Sequence, residues 1–376
     1  MYIPYGKQTI DESDIQAVLE VLRSDYLTTG PKVVEFERKV ADYVGAKYAV
    51  AVCNGTAALH VACLAAGIGA GDEVITTPIT FAASANCVLY CGATPVFADI
   101  DPVTYNIDPA EIEKHITPRT KAIISVHYTG QPCDMDAITA IAKKHHLLVI
   151  EDGAHALGAV YNGRKIGSIS DMTCFSFHPV KPVTTGEGGM IVTDREDLYQ
   201  LLQLFRSHGI TRDAELLTED QGPWYYQQQY LGYNYRITDI SCALGTSQMD
   251  KLDHFIERRQ EIARRYDAAF AGVSGIRIPM QQEGCRSGWH LYMIQTMHRD
   301  RREVFEALRA AGIGVNVHYI PVYQHPYYQQ HGYAEVHCQH AEAFYSRAIS
   351  LPIFPGLTEE QQDYVIDKVL EWCANG

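Results

Sequence analysis

The sequence predicts an α/β protein: a large lobe with a mostly parallel, mixed sheet in an α/β/α sandwich, and a smaller C-terminal α+β lobe. Three observations predict it. Between Tyr48 and Thr193, short apolar runs alternate with helical stretches, the pattern of β-α units whose strands are covered on both faces. Beyond Asp239 the alternation stops and strand-like and helical segments follow a different order. The chain has 376 residues, more than one compact core usually holds. The expected division is 1–250 for the large lobe, including the N-terminal segment, and 251–376 for the small one.

In order, 10–22 reads as a helix capped by Asp11 or Ser13, with Ile15, Val18, Leu19 and Leu22 on one face. Pro31 opens a second helix over 31–43, which Gly45 ends. Strands are expected at 48–52, 74–76, 94–98, 122–126 and 147–150, with helices at 57–64, 81–89, 109–115 and 135–145 between them. Two further strand-like runs, 172–177 and 189–193, flank a loop, and 196–205 is a helix. The polar and aromatic segment 209–234 is a long excursion, more often functional or interfacial than idle. A single helical pattern then runs from 239 to about 270, long enough to bridge two lobes. In the small lobe 290–297 and 315–318 read as strands, and 302–311, 341–347 and 358–372 as helices.

Composition narrows the function. A formal net charge of −14 with no basic run opposes binding to nucleic acid or an anionic membrane surface. The longest apolar-rich run, 57–70, is too short to span a bilayer, and 1–4 has no signal-peptide character. Ten scattered cysteines without a CxxC pair read as reduced thiols of a cytoplasmic protein. The run His337-Cys338-Gln339-His340 lacks a second clustered pair, so no metal site is expected.

The chemistry gathers at one loop, Phe175-Ser176-Phe177-His178-Pro179-Val180-Lys181-Pro182-Val183-Thr184-Thr185. Two prolines keep its lysine out of any regular element and fix its direction. A lysine held in partly apolar surroundings has a depressed pKa and becomes a nucleophilic amine; taken alone, the loop reads more readily as a solvated surface turn, since most lysines are exposed. Ligands of open α/β sheets bind at the carboxyl ends of strands, and two other strand ends carry polar groups. Asn54-Gly55-Thr56 opens a helix, where free N–H groups and a hydroxyl suit an anion, or make an ordinary cap. Glu151-Asp152 ends an apolar strand, where a carboxylate is costly unless it meets a cation or caps a turn. An anion cradle, a carboxylate and a restrained lysine, in that order, are what pyridoxal phosphate requires, and Phe81 is placed to stack on its ring.

On these residues the chain resembles the DegT/DnrJ-type sugar aminotransferases, a branch of the fold-type-I pyridoxal phosphate transferases. The similarity spans nearly the whole chain and is carried by Leu27-Thr28-Thr29-Gly30-Pro31, Asn54-Gly55-Thr56-Ala57-Ala58-Leu59, Gly71-Asp72-Glu73-Val74-Ile75, Glu151-Asp152-Gly153-Ala154-His155-Ala156, Phe175-Ser176-Phe177-His178 with Lys181, Gly188-Gly189 and Gly232-Tyr233-Asn234-Tyr235-Arg236. The resemblance implies that Lys181 carries pyridoxal 5′-phosphate as a Schiff base, with pyridoxamine phosphate formed midway. It implies that Asp152 partners the ring nitrogen, Phe81 stacks on the ring, and His155 lies near it. By the same resemblance Gly55, Thr56 and Ser176 bind the phosphate, and Asn234 reaches the neighbouring subunit's phosphate site in a homodimer with shared active sites.

A narrower resemblance rests on Thr76-Thr77-Pro78-Ile79-Thr80-Phe81, Lys181-Pro182-Val183-Thr184-Thr185, Phe205-Arg206-Ser207-His208-Gly209 and Val317-His318-Tyr319-Ile320-Pro321-Val322-Tyr323-Gln324. It is to the branch of pseudaminic acid biosynthesis, which transfers an amino group from L-glutamate to C4 of a UDP-4-keto-6-deoxy-N-acetylhexosamine. It implies nucleotide-sugar contacts at Tyr5, Asp25, Tyr26, Leu27, Thr28, His318, Tyr319, Ile320 and Pro321. The excursion 209–234 corresponds least. Other sugars remain open: perosamine, a 3-amino sugar or the arabinose of lipid A. So does a cofactor-binding regulator without turnover. A related dehydratase branch has histidine in place of the lysine, and Lys181 argues against it.

Overall fold

The computed structural model describes residues 2–374. The first helix, α1 (Glu12–Leu22), is capped by Asp11, whose carboxylate accepts from the N–H groups of Ser13 and Asp14. Helix α2 (Pro31–Val44) begins with proline at its first turn and ends on Gly45 at φ 81°, the left-handed conformation that glycine adopts without a side-chain clash.

The alternating region forms a seven-stranded sheet. Its strands are β1 (Tyr48–Val52), β2 (Glu73–Thr76), β3 (Thr94–Phe97), β4 (Thr120–Val126), β5 (Leu148–Asp152), β6 (Met172–Ser176) and β7 (Gly189–Thr193). Their order across the sheet is β1-β7-β6-β5-β4-β2-β3. From β6 to β3 neighbours are parallel; β7 runs against both β6 and β1. That reversal is what places the lysine loop, the β6–β7 connection, at the carboxyl end of the parallel strands.

Helices cover both faces. On one face α2, α6 (Met135–His145) and α8 (Asp239–Met249) pack Phe36, Val40, Ile138 and Cys242 against Ile75, Ile123 and Phe175. On the other, α3 (Gly55–Ala65), α4 (Ala83–Tyr90) and α7 (Glu196–Arg206) pack Leu59, Val88 and Leu202 against Val50, Val74 and Ile124. Helix α5 (Pro109–His115) lies beside α6.

The second lobe has an antiparallel sheet of β8 (Ile276–Arg277), β9 (Tyr292–Thr296) and β10 (Ala348–Leu351), with α9 (Leu252–Phe270), α10 (Arg301–Ala310), α11 (Gln339–Tyr345) and α12 (Glu359–Cys373). Three details differ from expectation. The pattern over 239–270 is two helices, α8 and α9, separated at Asp250-Lys251, where the Lys251 ammonium turns to Asp11, the cap of α1, and to Asp14 within it. The stretch 315–318 makes one bridge, Asn316 to Ser350, and no strand; Val315 enters the core while Asn316, Val317 and His318 line a cavity. The helix expected over 341–347 is α11, ending at Tyr345, and β10 after it was not expected, its four apolar or small residues being too few to show a period. The N-terminal residues run along this lobe: Ile3 joins its core, its carbonyl accepts from Gly314 N–H at 2.6 Å, and Tyr5 carbonyl accepts from Ile353 N–H at 3.1 Å. No helix among the described residues is long and apolar enough to cross a membrane.

Candidate active site

A cavity of about 580 Å³ opens where β1, β5 and β6 end, walled on its far side by 316–319 of the second lobe. It brings together Tyr5, Gly55, Thr56, Phe81, Asp152, His155, Ser176, Lys181, His318 and Tyr319 of the expected site residues.

Strand alternation separates the two neighbouring carboxylates. Glu151, fully buried, turns away from the cavity to a 2.6 Å pair with His127 and accepts from the hydroxyls of Ser170 and Thr173. Burial pushes its carboxyl up, yet His127 and the two hydroxyls outweigh that and hold it below the usual range. Asp152 lines the cavity. Its Oδ2 accepts from Ser84 Oγ at 2.6 Å and its Oδ1 from Ala154 N–H at 3.1 Å, all neutral donors. A buried carboxylate without a cationic partner is costly, so the position suits a ligand N–H that carries positive charge.

Lys181 is half-buried, and desolvation lowers its amine to about 8 against the opposing pull of Asp152. Its Nζ lies 3.4 Å from Nε2 of His290. Neither His290 nor Ser84 was expected from the sequence. Ser84 sits inside a helix of ordinary composition and His290 at the start of an apparent strand, and only the tertiary fold brings them to the site.

At the cradle, Asn54 Oδ1 caps α3 by accepting Ala57 N–H at 2.8 Å, while the N–H groups of Gly55 and Thr56 have no acceptor among the described residues. A Cβ on Gly55 would lie 2.9 Å from that of Ser176, so only glycine leaves room for an anion between the helix start and the Ser176 hydroxyl. Phe81, 61% exposed, borders the cavity with Tyr319 6.2 Å away, centroid to centroid. His155 Nε2 is 3.2 Å from the Tyr319 hydroxyl; burial, with Lys181 and His318 nearby, holds this imidazole neutral and its pKa well below the ordinary value. Burial lowers His318 to about 4, with Lys181 adding to the effect; its Nδ1 is 2.6 Å from Ser350 Oγ. Desolvation raises the Tyr5 and Tyr319 hydroxyls.

These residues fit pyridoxal 5′-phosphate: an anion cradle with glycine-only clearance, a buried carboxylate lacking a cation, and a lysine amine of lowered pKa share one cavity. Other expected residues stand apart from it. Asp25, Tyr26, Leu27 and Thr28 are exposed beside Thr238, and Ile320 and Pro321 lie just past the wall. Asn234 is exposed next to Ser207 and does not line this chain's cavity. His337 is exposed, and Cys338 and His340 serve packing and helix capping, with Asp99 accepting from His340 N–H.

The DegT/DnrJ/EryC1/StrS aminotransferase family matches residues 8–370. The chain is 46% identical over 374 residues to the spore coat polysaccharide biosynthesis protein SpsC of Bacillus subtilis (strain 168), covering 98% of this chain and 96% of that protein. It is 39% identical over 383 residues to the UDP-4-amino-4,6-dideoxy-N-acetyl-beta-L-altrosamine transaminase of Campylobacter jejuni (strain 81-176), covering 100% and 99%. Among solved structures, PseC of Helicobacter pylori, an aminotransferase involved in the biosynthesis of pseudoaminic acid, superposes with a TM-score of 0.91 at 36% identity over 99% of each chain. Spr1654 of Streptococcus pneumoniae in its PLP form gives a TM-score of 0.92 at 34% identity over 98% of each chain.

Proposed function

Since this chain belongs to the DegT/DnrJ/EryC1/StrS aminotransferase family, and is therefore a pyridoxal phosphate-dependent aminotransferase, we propose that it transfers an amino group from L-glutamate to C4 of a UDP-4-keto-6-deoxy-N-acetylhexosamine. The observation that carries the chemistry is the Lys181 amine, lowered to about 8 in the same cavity as the Asp152 carboxylate. Similarity across the full length to the Campylobacter transaminase and to PseC supports the sugar.

When bound, the cofactor supplies an aldehyde that captures amines and a ring that takes up an electron pair. The chain's residues do the rest. Lys181 Nζ takes the proton from the amino-bearing carbon of the donor and later returns one to the acceptor sugar, serving as base and then acid. Asp152 keeps the proton on the ring nitrogen, with Ser84 and Ala154 N–H fixing its orientation. Gly55, Thr56 and Ser176 hold the phosphate, Phe81 stacks on the ring and His155 borders it. Tyr5, His318 and Tyr319 form the sugar side, their rings packed together and the His318 and Tyr319 polar atoms held by Ser350, Asn316 and His155.

Asn234, with Asp25 to Thr28, serves the neighbouring subunit's site in a homodimer. Their exposure away from this chain's cavity supports that reading, as do the exposed apolar residues Tyr26, Leu231 and Trp224. The lobes divide at 250, supported by the α8–α9 break. Ten free thiols support a reducing, cytoplasmic setting.

A second reading keeps the chemistry and changes the sugar, since identity to SpsC is higher than to the Campylobacter enzyme. Purified protein with L-glutamate and a panel of UDP-, GDP- and dTDP-keto sugars decides between them. Mass spectrometry should find an amino sugar, with 2-oxoglutarate, from the UDP-4-keto-6-deoxy-N-acetylhexosamine; product from another sugar alone sinks the first reading. Lys181→Ala should lose both turnover and borohydride-reducible attachment of the cofactor.

A further inference from the structure

His290 follows Trp289, whose φ of 43° is left-handed. The turn is clamped from α9 by Arg259, 2% exposed, which donates to the carbonyls of Ile353 at 2.9 Å, Trp289 at 3.0 Å and His290 at 3.4 Å. His290 N–H donates to the Thr129 carbonyl at 2.8 Å, and the ring centroid lies 4.4 Å from that of His155. The imidazole is thus held by backbone contacts on several sides, with Nε2 at 3.4 Å from Lys181 Nζ.

The other ring nitrogen decides what that contact is. Nδ1 of His290 is buried and has no partner among the described residues. If Nε2 were bare and accepted from an ammonium, Nδ1 would carry the hydrogen and be a buried donor with nothing to bond. With the hydrogen on Nε2, Nδ1 is only an under-used acceptor, the less costly defect. Double protonation is opposed by burial and by Lys181, His155, Arg259 and His318, all of which face this ring. An Nε2–H can donate to Lys181 only when the amine has a lone pair.

We propose that His290 is a positioning residue that holds Lys181 as the free base, donating its Nε2–H to the amine's lone pair, with Arg259 fixing the turn that aims it. The inference rests on Lys181 being the reacting amine. Besides His290, the titratable and charged groups around that amine are Asp152 at the end of β5, His155 just after it, and His318 from the second lobe, with Arg259 on α9 behind the ring. Asp152 favours the ammonium and burial opposes it; a donor from His290 acts in the same direction as burial.

The test follows capture of pyridoxal phosphate by apoprotein, as imine absorbance against time, from about pH 6 to about pH 10. The midpoint of the rate profile reports the amine. His290→Leu should raise that midpoint by about one unit and slow capture roughly tenfold at neutral pH, while His290→Gln, which keeps an N–H donor, should stay near the parent. An unchanged or lowered midpoint in His290→Leu overturns the proposal. ¹⁵N shifts of His290 in the unmodified apoprotein test it without a variant: hydrogen on Nε2 supports it and hydrogen on Nδ1 overturns it. Capture that persists in Lys181→Ala refutes the parent reading instead, and is seen without altering His290.

Discussion

Ser84 and Asp152 are joined by a 2.6 Å hydrogen bond between α4 and the end of β5. The same hydroxyl lies 2.7 Å from Thr80 Oγ1, so a short chain of oxygens orients the carboxylate. Ser84→Ala removes the one side-chain donor that Asp152 has among the described residues. A hydrogen bond to a charged group contributes about 1.5–3 kcal/mol, so cofactor Kd should rise roughly tenfold or more. Fluorescence titration of apoprotein with pyridoxal phosphate measures this, and an unchanged Kd would show that Ser84 does not hold the carboxylate.

Gly55→Ala tests the cradle. The new Cβ meets the Ser176 side chain at 2.9 Å, yet position 55 is the first residue of α3 with no left-handed φ. Alanine is the better helix former by up to about 1 kcal/mol. Cofactor affinity should fall by about tenfold or more, and the thermal midpoint should fall as well, since an overpacked contact costs about 1–3 kcal/mol and outweighs the helix gain; equal affinity to the parent would place the phosphate elsewhere.

The buried Glu151–His127 pair predicts a pH signature. Glu151 is depressed in the folded protein, so its contribution is complete above the unfolded value of about 4.3 and is lost as pH falls through the lower folded value. Glu151→Gln should lower stability near pH 7 by about 3 kcal/mol, because it leaves a buried pair broken, and the gap to the parent should close in acid. Urea midpoints across the pH series test the sign; a gap that widens in acid contradicts it.

Shared sites can be tested by mixing. If Asn234 completes the neighbour's site, Lys181→Ala and Asn234→Ala proteins are each inactive as homodimers, but each hybrid has one intact site. Random reassociation should recover about a quarter of the parental activity. Recovery of nothing from demonstrated hybrids would return Asn234 to its own subunit.

The sequence carried the large lobe well because its strands are short apolar runs bounded by turns, and that pattern alone requires a two-faced parallel sheet. It carried the small lobe less well. The four residues of β10 are too few to show a period, and 315–318 look like a strand while serving as a cavity wall. At the site, Lys181, Asp152 and Gly55 were legible because each lies at or within a few residues of the carboxyl end of a strand. Ser84 and His290 were not, since they reach the site only through α4 crossing to β5 and through a second-lobe turn, gripped by Arg259, that meets Lys181 of the first lobe, which no local pattern records. The split of Glu151 from Asp152 follows from strand alternation once β5 is known to extend through Asp152.

The path of Ile3 to Tyr5 has a practical side. These residues are pinned to the second lobe by backbone hydrogen bonds, and the Tyr5 ring sits 5.5 Å from that of His318 in the cavity wall. Whatever polypeptide is fused ahead of Ile3 is carried close to the mouth of the cavity. A purification handle placed there starts within a few residues of Tyr5, which lines the cavity. The same handle joined after α12, where Trp372 is 39% exposed, is away from the cavity residues, so kinetic work belongs on protein tagged at that end.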